Sequence, residues 1–482
     1  MPLTQAKNTL ENLLEELKNN PNPIDEELVQ LAYVFASAAH EGQVRKSGKP
    51  YITHPLATAL TLARMRLDQP TIIAGLLHDV PEETPVTLQE IKKNFGAEVA
   101  QLVEGITKLG TLKYRGIERY AENLRKMFVA MAQDIRVILI KFADRLHNLR
   151  TLEHLPKEKR ERIAHETLEI YAPIANRLGI WEMQGILEDL SFKYTNPEDY
   201  EWLRTSTTHR YEQKLAYVAK LQKILEKEML KQGMAYTIVY GRPKRLYSLY
   251  KKLLRKNKDF DKVYDLVALR IIVPAVADCY TVLGIVHGLW PPLPERLKDY
   301  IAMPKPNGYR SLHTTVFGPD GERVEVQIRT EDMNAQAEFG IAAHWVYKEK
   351  DKRQQKRELQ WIQELVTWQK EIADNTEYVK KLRNIDIFSE HIFVFTPKGD
   401  VIDLPDGATV IDFAYTIHTD IGNQATGSLV NEKMVSLDTA LQDGDVIEII
   451  RDKNRKYPNR DWLEFAKTGI ARSKIRALAK PF

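Results

Sequence analysis

The chain is poor in the features that would place it outside the cell or in a bilayer. Its 482 residues hold one cysteine, Cys279, so an internal disulfide framework is excluded. No 18-residue apolar span and no opening apolar segment of the signal-peptide kind occurs, which argues against secretion and membrane spanning and leaves the cytoplasm as the expected compartment. Internal repeats and low-complexity tracts are also lacking. Charge of one sign is scarce too: 70 Lys and Arg face 66 Asp and Glu, so overall charge draws nucleic acid only weakly, although a local cluster such as KKLLRKNK (251–258) can hold phosphates. What is present is ordinary globular material. A hydrophobic share of 43% over this length is enough for roughly three domains with real cores.

Residues 1–195 carry apolar stripes of helical period, such as LVQLAYVFASAA (28–39) and VEGITKL (103–109), and almost no alternation, which predicts an all-α first domain. A charged helix over 196–232 serves as connector and stops at Gly233. The period then changes. MAYTIVYG (234–241), VALRIIVP (267–274), RSLHTTVFG (310–318) and ERVEVQIR (322–329) read as strands, separated by helical stretches at 244–256, 278–289 and 332–348, so 233–350 is expected to be a mixed α/β domain. After a helical linker over 351–387, residues 388–452 offer a hairpin around Pro397 and Gly399, a turn at Pro405–Gly407, a helix from about Thr409 and two further strands, the order of a β-grasp module. From Asp461 a basic helix begins and reaches residue 482 without a cap, and a natural protein is expected to continue beyond it.

The densest chemistry lies in LKDYIAMPKPNGYRSLHTTV (297–316). It sets Lys298, Lys305, Arg310, Asp299, Tyr309 and His313 around a loop broken by Pro and Gly, a set of cations and an aromatic plate suited to a phosphorylated purine. In ERVEVQIRT, Glu325 and Gln327 share one face while Val324, Val326 and Ile328 take the other. A carboxylate to hold Mg²⁺ beside cations that spread phosphoryl charge is what nucleotide transfer requires. YGRPKRLYSLYKKL (240–253) ends a strand at Gly241 and starts a helix after Pro243 with Ser248 and Lys251 along one face, a phosphate seat. Asp265 opens the next strand and is expected to face the same cleft as Glu325.

The helical half carries a second constellation. His54 precedes Pro55, a residue preferred in the first turn of a helix, so its imidazole is expected at a helix mouth. His78 and Asp79 are adjacent at the end of an apolar helix, and Asp144, Asn148 and Thr151 at i, i+4 and i+7 line one helix face. Two imidazoles and two carboxylates make a borderline-to-hard site for Mn²⁺, Fe²⁺ or Zn²⁺ with positions left open, and open positions imply hydrolysis.

The strings HEGQVRKSGKPYITHP (40–55), HDVPEET (78–84) and ADRLHN (143–148) resemble the HD-domain phosphohydrolases, more closely the hydrolase half of the RelA/SpoT alarmone enzymes. The resemblance implies that His54, His78, Asp79 and Asp144 hold Mn²⁺. It also implies that Arg45, Lys46 and Ser47 contact a guanine nucleotide, and that Asn148 and Thr151 line its ribose and phosphate side. The family's acidic Glu-Asp pair, which orients or activates the attacking water, is Glu82-Glu83 here, and Asn176 stands where a His is usual.

The α/β segments are likewise similar to the synthetase domain of that family, which has a nucleotidyltransferase-like fold. This implies transfer of the β,γ-pyrophosphate of ATP to the 3′-hydroxyl of GDP or GTP, with Asp265 and Glu325 holding Mg²⁺ and Glu325 acting as base. Gly241, Arg242, Lys244, Ser248 and Lys251 are implied on the ATP side. On the acceptor side the implied set is Tyr309 stacked on guanine, with Lys298, Lys305, Asn307, His313, Gln327, Ala335 and His344. Arg296-Leu297-Lys298-Asp299 matches the basic R-x-K-D loop of members that both make and hydrolyse (p)ppGpp.

Residues 388–452 resemble the TGS domain. IHTDIG (417–422) matches the segment that approaches uncharged tRNA on the ribosome, with His418 as candidate contact, although Asn423-Gln424 replaces the usual His-Arg that follows. The expected protein is a long bifunctional enzyme of the stringent response, without the family's later portions. A synthetase-dominant enzyme with a weak hydrolase, or a ribosome- or tRNA-binding regulator with inactive pockets, are the alternatives.

Overall fold

The computed structural model describes residues 9–110, 116–234, 237–260, 263, 266–294, 296–305, 308–340, 362, 366, 391–442, 444–455 and 457–478. Asp265, Asn307 and His344 lie outside the described residues, as does nearly all of the expected linker. The chain divides into two compact units. Met1–His209, Arg245–Asp259 and Ala335–Val379 make the first, and Arg210–Lys244, Phe260–Asn334 and Lys380–Phe482 the second. Among the described residues no helix is long and apolar enough to cross a membrane.

In the first unit the regular elements up to Thr195 are helices, as the periodicity predicts, with one isolated bridge, Val44–Pro50. Three of them form the centre. The helix Thr53–Arg64 is buried from His54 through Ala63, and Gln69–Leu77 from Thr71 through Leu77, the all-round burial of helices with no solvent face. Both pack against Arg136–Arg150. Gly75 permits the close approach, since a Cβ there would stand 2.5 Å from Leu62 Cδ1. The starts of two central helices are tied together: Asp68 caps Thr71 N at 3.2 Å, and Arg136 Nη1 donates to Asp68 Oδ2 at 2.9 Å. Asn176 accepts from Trp181 Nε1 at 3.1 Å, a packing role within the helical unit.

The second unit holds a five-stranded sheet in the order β1-β2-β5-β4-β3, with β1 Ile238–Pro243, β2 Val267–Val273, β3 Lys298–Asp299, β4 Leu312–Phe317 and β5 Arg323–Thr330. Only β2 and β5 run parallel. One face is apolar: Leu269, Ile271, Val273, Leu312, Val316, Val324, Val326 and Ile328 pack with the helix Val276–Leu289 and with Val218, Leu221, Leu225 and Met229 of the helix Pro197–Lys231. Alternation then sends Arg270, His313, Glu325, Gln327 and Arg329 to the other face. The four expected strands form. The first starts later than its sequence run and continues through Gly241 to Pro243, where a Cβ on Gly241 would meet Val218 Cγ1 at 3.0 Å. The two-residue β3 was not expected; it is too short to carry an alternating pattern.

The C-terminal part of this unit pairs β6 His391–Phe395 with β7 Val401–Pro405, and β8 Ala425–Val430 with β9 Lys433–Val435 and β10 Ile447–Arg451. Ile392, Val394, Leu404, Val410, Phe413, Leu441 and Ile447 form its core. The helix Val410–Ile417 starts at a Thr409/Asp412 capping box. Beyond it the structure departs from expectation. Instead of one basic helix from Asp461 there is a 3-10 turn, Arg460–Leu463, and then a helix from Gly469 to Leu478. The reason is Asp412, fully buried, whose carboxylate accepts from Lys467 N at 2.9 Å and Thr468 N at 2.8 Å and breaks the helix there.

Candidate functional site

Three central helices of the first unit deliver four ligand-type side chains to one point. His54 comes from the first turn of Thr53–Arg64, His78 and Asp79 from the junction after Gln69–Leu77, and Asp144 from the middle of Arg136–Arg150. His54 Nε2 lies 3.3 Å from Asp79 Oδ2, 3.2 Å from Asp144 Oδ1 and 3.3 Å from His78 Nε2. His78 Nε2 is in turn 3.2 Å from Asp79 Oδ1. His54, His78 and Asp144 are buried. Against the pull of desolvation, the neighbouring His78 and His54 imidazoles hold Asp79 below the usual carboxylate range, and Lys141 and His54 do the same for Asp144. His54, His78 and Asp144 thus bring two imidazole nitrogens and a carboxylate oxygen within reach of one ion, with Asp79 against both imidazoles. Such a set fits a divalent metal ion with open positions.

The surrounding groups were only partly foreseen. Asn148 donates to Asp144 Oδ1 and accepts from Arg45 Nη2 at 2.8 Å, which ties Arg45 to the cluster. Lys46 is exposed and Ser47 half-buried on the turn closed by Arg45 N to Lys49 O, 2.9 Å. The Thr151 hydroxyl donates to the carbonyls of His147 and Asn148 at its own helix end. Glu82 and Glu83 follow Asp79 at the rim. Partial burial and then the Asp79 charge push Glu82 up to about 7, and the Glu83 carbonyl accepts from Gln43 at 2.8 Å. Not foreseen were Tyr51, whose hydroxyl donates to Asp79 Oδ2 at 3.0 Å, Lys141, 2.6 Å from Asp144 Oδ2, and His147, whose Nδ1 is 2.8 Å from Nδ1 of His54. The available signal was spacing: Lys141 and His147 sit three residues either side of Asp144, one helical turn away.

The second cluster is set by register on the polar face of the sheet. Tyr240, Arg270, Gln327, His313 and Lys298 are successive pairing partners across β1, β2, β5, β4 and β3, which makes one row of side chains. Arg270 donates to Tyr240 Oη at 3.2 Å and to Gln327 Oε1 at 3.3 Å, and Gln327 Nε2 to Glu325 Oε1 at 2.7 Å. His313 Nδ1 lies 3.5 Å from Glu325 Oε1, and its Nε2 is 2.7 Å from Tyr309 Oη. Lys305 Nζ sits 5.8 Å over the Tyr309 ring and 4.6 Å over Tyr300. Arg242 shares the face with Tyr240, while the Lys244 backbone is held by Leu266 and Tyr211. Burial, then Lys305 and Arg329, hold His313 well below the usual imidazole range. Arg270 and Arg329 were missed. Both are buried cations inside apolar strand runs, and Nε of each has no hydrogen-bond partner among the described residues. A site so rich in cations calls for an anionic ligand.

Ser248 and Lys251 lie on the helix Leu246–Arg255, which belongs to the first unit. Its first-turn Tyr247 N–H donates to Asp189 Oδ1 at 2.9 Å, and a turn further on Lys251 Nζ donates to Glu188 Oε1 at 3.3 Å. Ala335 is half-buried on the helix Glu331–Phe339. His418 is exposed and caps the short helix Thr419–Gln424, its Nδ1 accepting from Asp420 N at 3.2 Å.

The chain thus carries in succession a helical His/Asp cluster fit for a divalent metal ion, a mixed sheet with a cationic polar face, and a small unit of paired strands around one helix. Comparison with known proteins agrees at each part. Residues 32–181 match the HD domain, 241–352 the region found in RelA/SpoT proteins, and 392–451 the TGS domain. The chain is 47% identical over 474 residues to a guanosine-3′,5′-bis(diphosphate) 3′-pyrophosphohydrolase of Aquifex aeolicus, covering 98% of this chain and 67% of that one. It is 47% identical to the bifunctional (p)ppGpp synthase/hydrolase SpoT of Escherichia coli, over 93% of this chain and 64% of the relative, and 46% identical to a GTP pyrophosphokinase of Myxococcus xanthus, over 96% and 61%. The chain belongs to the RelA/SpoT family. It spans about three-fifths of the length of the first curated relatives that it matches.

Proposed function

We propose that this chain both makes and destroys (p)ppGpp: it transfers pyrophosphate from ATP to the 3′-hydroxyl of GDP or GTP, and it hydrolyses the product to GDP or GTP and pyrophosphate. The observation that carries the reading is the presence, in one chain, of a converging His54–His78–Asp79–Asp144 cluster and of a separate cationic sheet face around Glu325.

In the hydrolase, Mn²⁺ held by the four ligands would supply Lewis-acid activation of the 3′-pyrophosphate ester. Arg45, Lys46 and Ser47 take the nucleotide's anionic and guanine side, with Asn148 and Thr151 beside the ribose and phosphate. Tyr51 and Lys141 hold the orientation of Asp79 and Asp144. Glu82, poised near neutrality, moves a proton at its carboxylate, and Glu83 stands beside it to orient water.

In the synthetase, Asp265 and Glu325 would hold Mg²⁺, which neutralises charge on the ATP phosphates. The acceptor 3′-oxygen bonds to the β-phosphorus, the bond from that phosphorus to the α,β-bridging oxygen breaks, AMP leaves, and the hydroxyl proton passes to Glu325. Gly241, Arg242, Lys244, Ser248 and Lys251 serve ATP, and Tyr309, Lys298, Lys305, Asn307, His313, Gln327, Ala335 and His344 the acceptor. Catalysis of this kind is mostly positioning and charge neutralisation. In the cytoplasm, the TGS part with His418 would meet uncharged tRNA on the ribosome.

The test is direct. The purified chain is incubated with ATP, GDP and Mg²⁺, and separately with ppGpp and Mn²⁺, and nucleotides are resolved by ion exchange. AMP with ppGpp in the first and GDP in the second are expected; no product in either leaves only a binding role.

A further inference from the structure

We propose that His147 is the positioning residue of the metal centre: through its Nδ1 it locks His54 in the tautomer that keeps Nε2 free to bind the ion. This rests on the four-ligand reading above. Nε2 of His54 faces Asp79, Asp144 and His78, so a lone pair must sit there for the imidazole to be a ligand. A neutral ring then carries its hydrogen on Nδ1, and that hydrogen needs an acceptor. The acceptor in place is His147 Nδ1 at 2.8 Å, with ring centroids 4.9 Å apart and planes tilted by 41°.

His78 meets the same requirement with a different partner, because its Nδ1 is 2.9 Å from the Gly75 carbonyl. A carbonyl can only accept, so it settles the tautomer of His78 at once. An imidazole settles it only if its own hydrogen is on Nε2, which assigns His147 as the Nε2–H form. Metal-bound histidines are regularly oriented through their second nitrogen in this way.

His147 is not a fifth ligand, since it meets His54 on the ring nitrogen opposite the cluster. Its place is set by the same helix that carries Asp144, one turn on, so one element supplies a ligand and the group that aims another.

The experiment measures Mn²⁺ binding by titration calorimetry on the whole chelator-stripped chain, for the wild type, His147→Leu and His147→Asn, together with ppGpp hydrolysis against Mn²⁺ concentration. Asparagine can set a carbonyl oxygen where Nδ1 was; leucine cannot. Loss of an outer partner of this kind weakens metal binding by roughly 10–100-fold. That loss is expected for His147→Leu, with hydrolysis recovering as Mn²⁺ is raised and His147→Asn regaining most of the affinity. Unchanged affinity in His147→Leu, no better binding in His147→Asn, or a hydrolytic loss that saturating Mn²⁺ leaves in place overturns the proposal. If His147→Leu does not fold, His147→Asn alone decides, by binding near the wild-type level or not. Failure of the wild type to bind Mn²⁺ sinks the four-ligand reading itself, a result distinct from the others.

Discussion

His313 and Glu325 meet across neighbouring strands, with Nδ1 3.5 Å from Oε1, because the antiparallel register of β4 and β5 sets Thr315 opposite Glu325 and His313 one step along the same face. The imidazole is held neutral, so it can donate from Nδ1 to the carboxylate while Nε2 accepts from the Tyr309 hydroxyl. Glu325→Gln keeps the shape and removes the proposed base. Pyrophosphoryl transfer is expected to fall roughly 10²–10⁴-fold, the usual worth of a general base, with ppGpp hydrolysis unchanged. AMP and GDP release measured on the same preparation decide it, and equal loss of both activities would contradict two separate sites.

The reverse variant is Asp79→Ala. It removes one of the four proposed ligands and the acceptor of the Tyr51 hydroxyl. Hydrolysis is expected to drop below detection and transfer to persist, and chelation of Mn²⁺ from the wild type is expected to reproduce the hydrolytic loss. Persistent hydrolysis in Asp79→Ala would remove it from the metal set.

The Lys251–Glu188 ion pair holds a proposed ATP-side cation on the helical unit. ATP phosphates must compete with that carboxylate, so Glu188→Gln is expected to lower KM for ATP by up to about fivefold, the worth of roughly 1 kcal/mol in a partly exposed pair. Steady-state kinetics at fixed GDP test this; a raised KM would mean that Glu188 orients Lys251 for ATP instead.

Burial pushes Asp189 up to about 6 from an ordinary 3.8, even though it accepts the Tyr247 N–H and lies near Arg245. A carboxyl whose folded pKa is raised stabilises the fold fully below the unfolded value, and that contribution is lost as pH climbs through the folded one. Asp189→Asn keeps an acceptor and drops the charge. Its thermal midpoint is expected to exceed the wild type's at pH 8, by about 1–3 kcal/mol in stability, with the gap shrinking as pH falls from 6 to 4. A gap independent of pH would rule out the carboxylate as its source.

Asp412 is the buried staple of the C-terminal segment. It accepts from Thr409 N and Oγ1 at 2.8 and 2.9 Å, and from Lys467 N, Thr468 N and Thr468 Oγ1. Asp412→Ala leaves several buried donors unmatched, at about 1–3 kcal/mol each. Faster tryptic cleavage after Lys467 and Arg472 is the expected sign, and wild-type resistance would show the segment held by Trp462 and Ile475 packing alone.

Much of this could be read from residue order. Helical period announced the helices up to Thr195, and alternation in VEVQIR sorted Glu325 and Gln327 from Val324 and Val326. The adjacent His78-Asp79 pair and the i, i+4 step from Asp144 to Asn148 marked the metal cluster, because local geometry alone places such residues together. Less legible were Arg270 and Arg329, masked by apolar neighbours, and the break near Thr468, whose cause lies more than fifty positions upstream in Asp412.

Periodicity and short spacings are local properties, so residue types, element types and the two sets of polar side chains were already implied by the chain's order. Contacts between positions far apart in the chain were not. That His147 faces His54, that Lys251 pairs with Glu188, and that five strands bring Tyr240, Arg270, Gln327, His313 and Lys298 into one row depend on helix packing and strand register. Those follow from burying apolar surface over the whole molecule, a condition no local stretch can express.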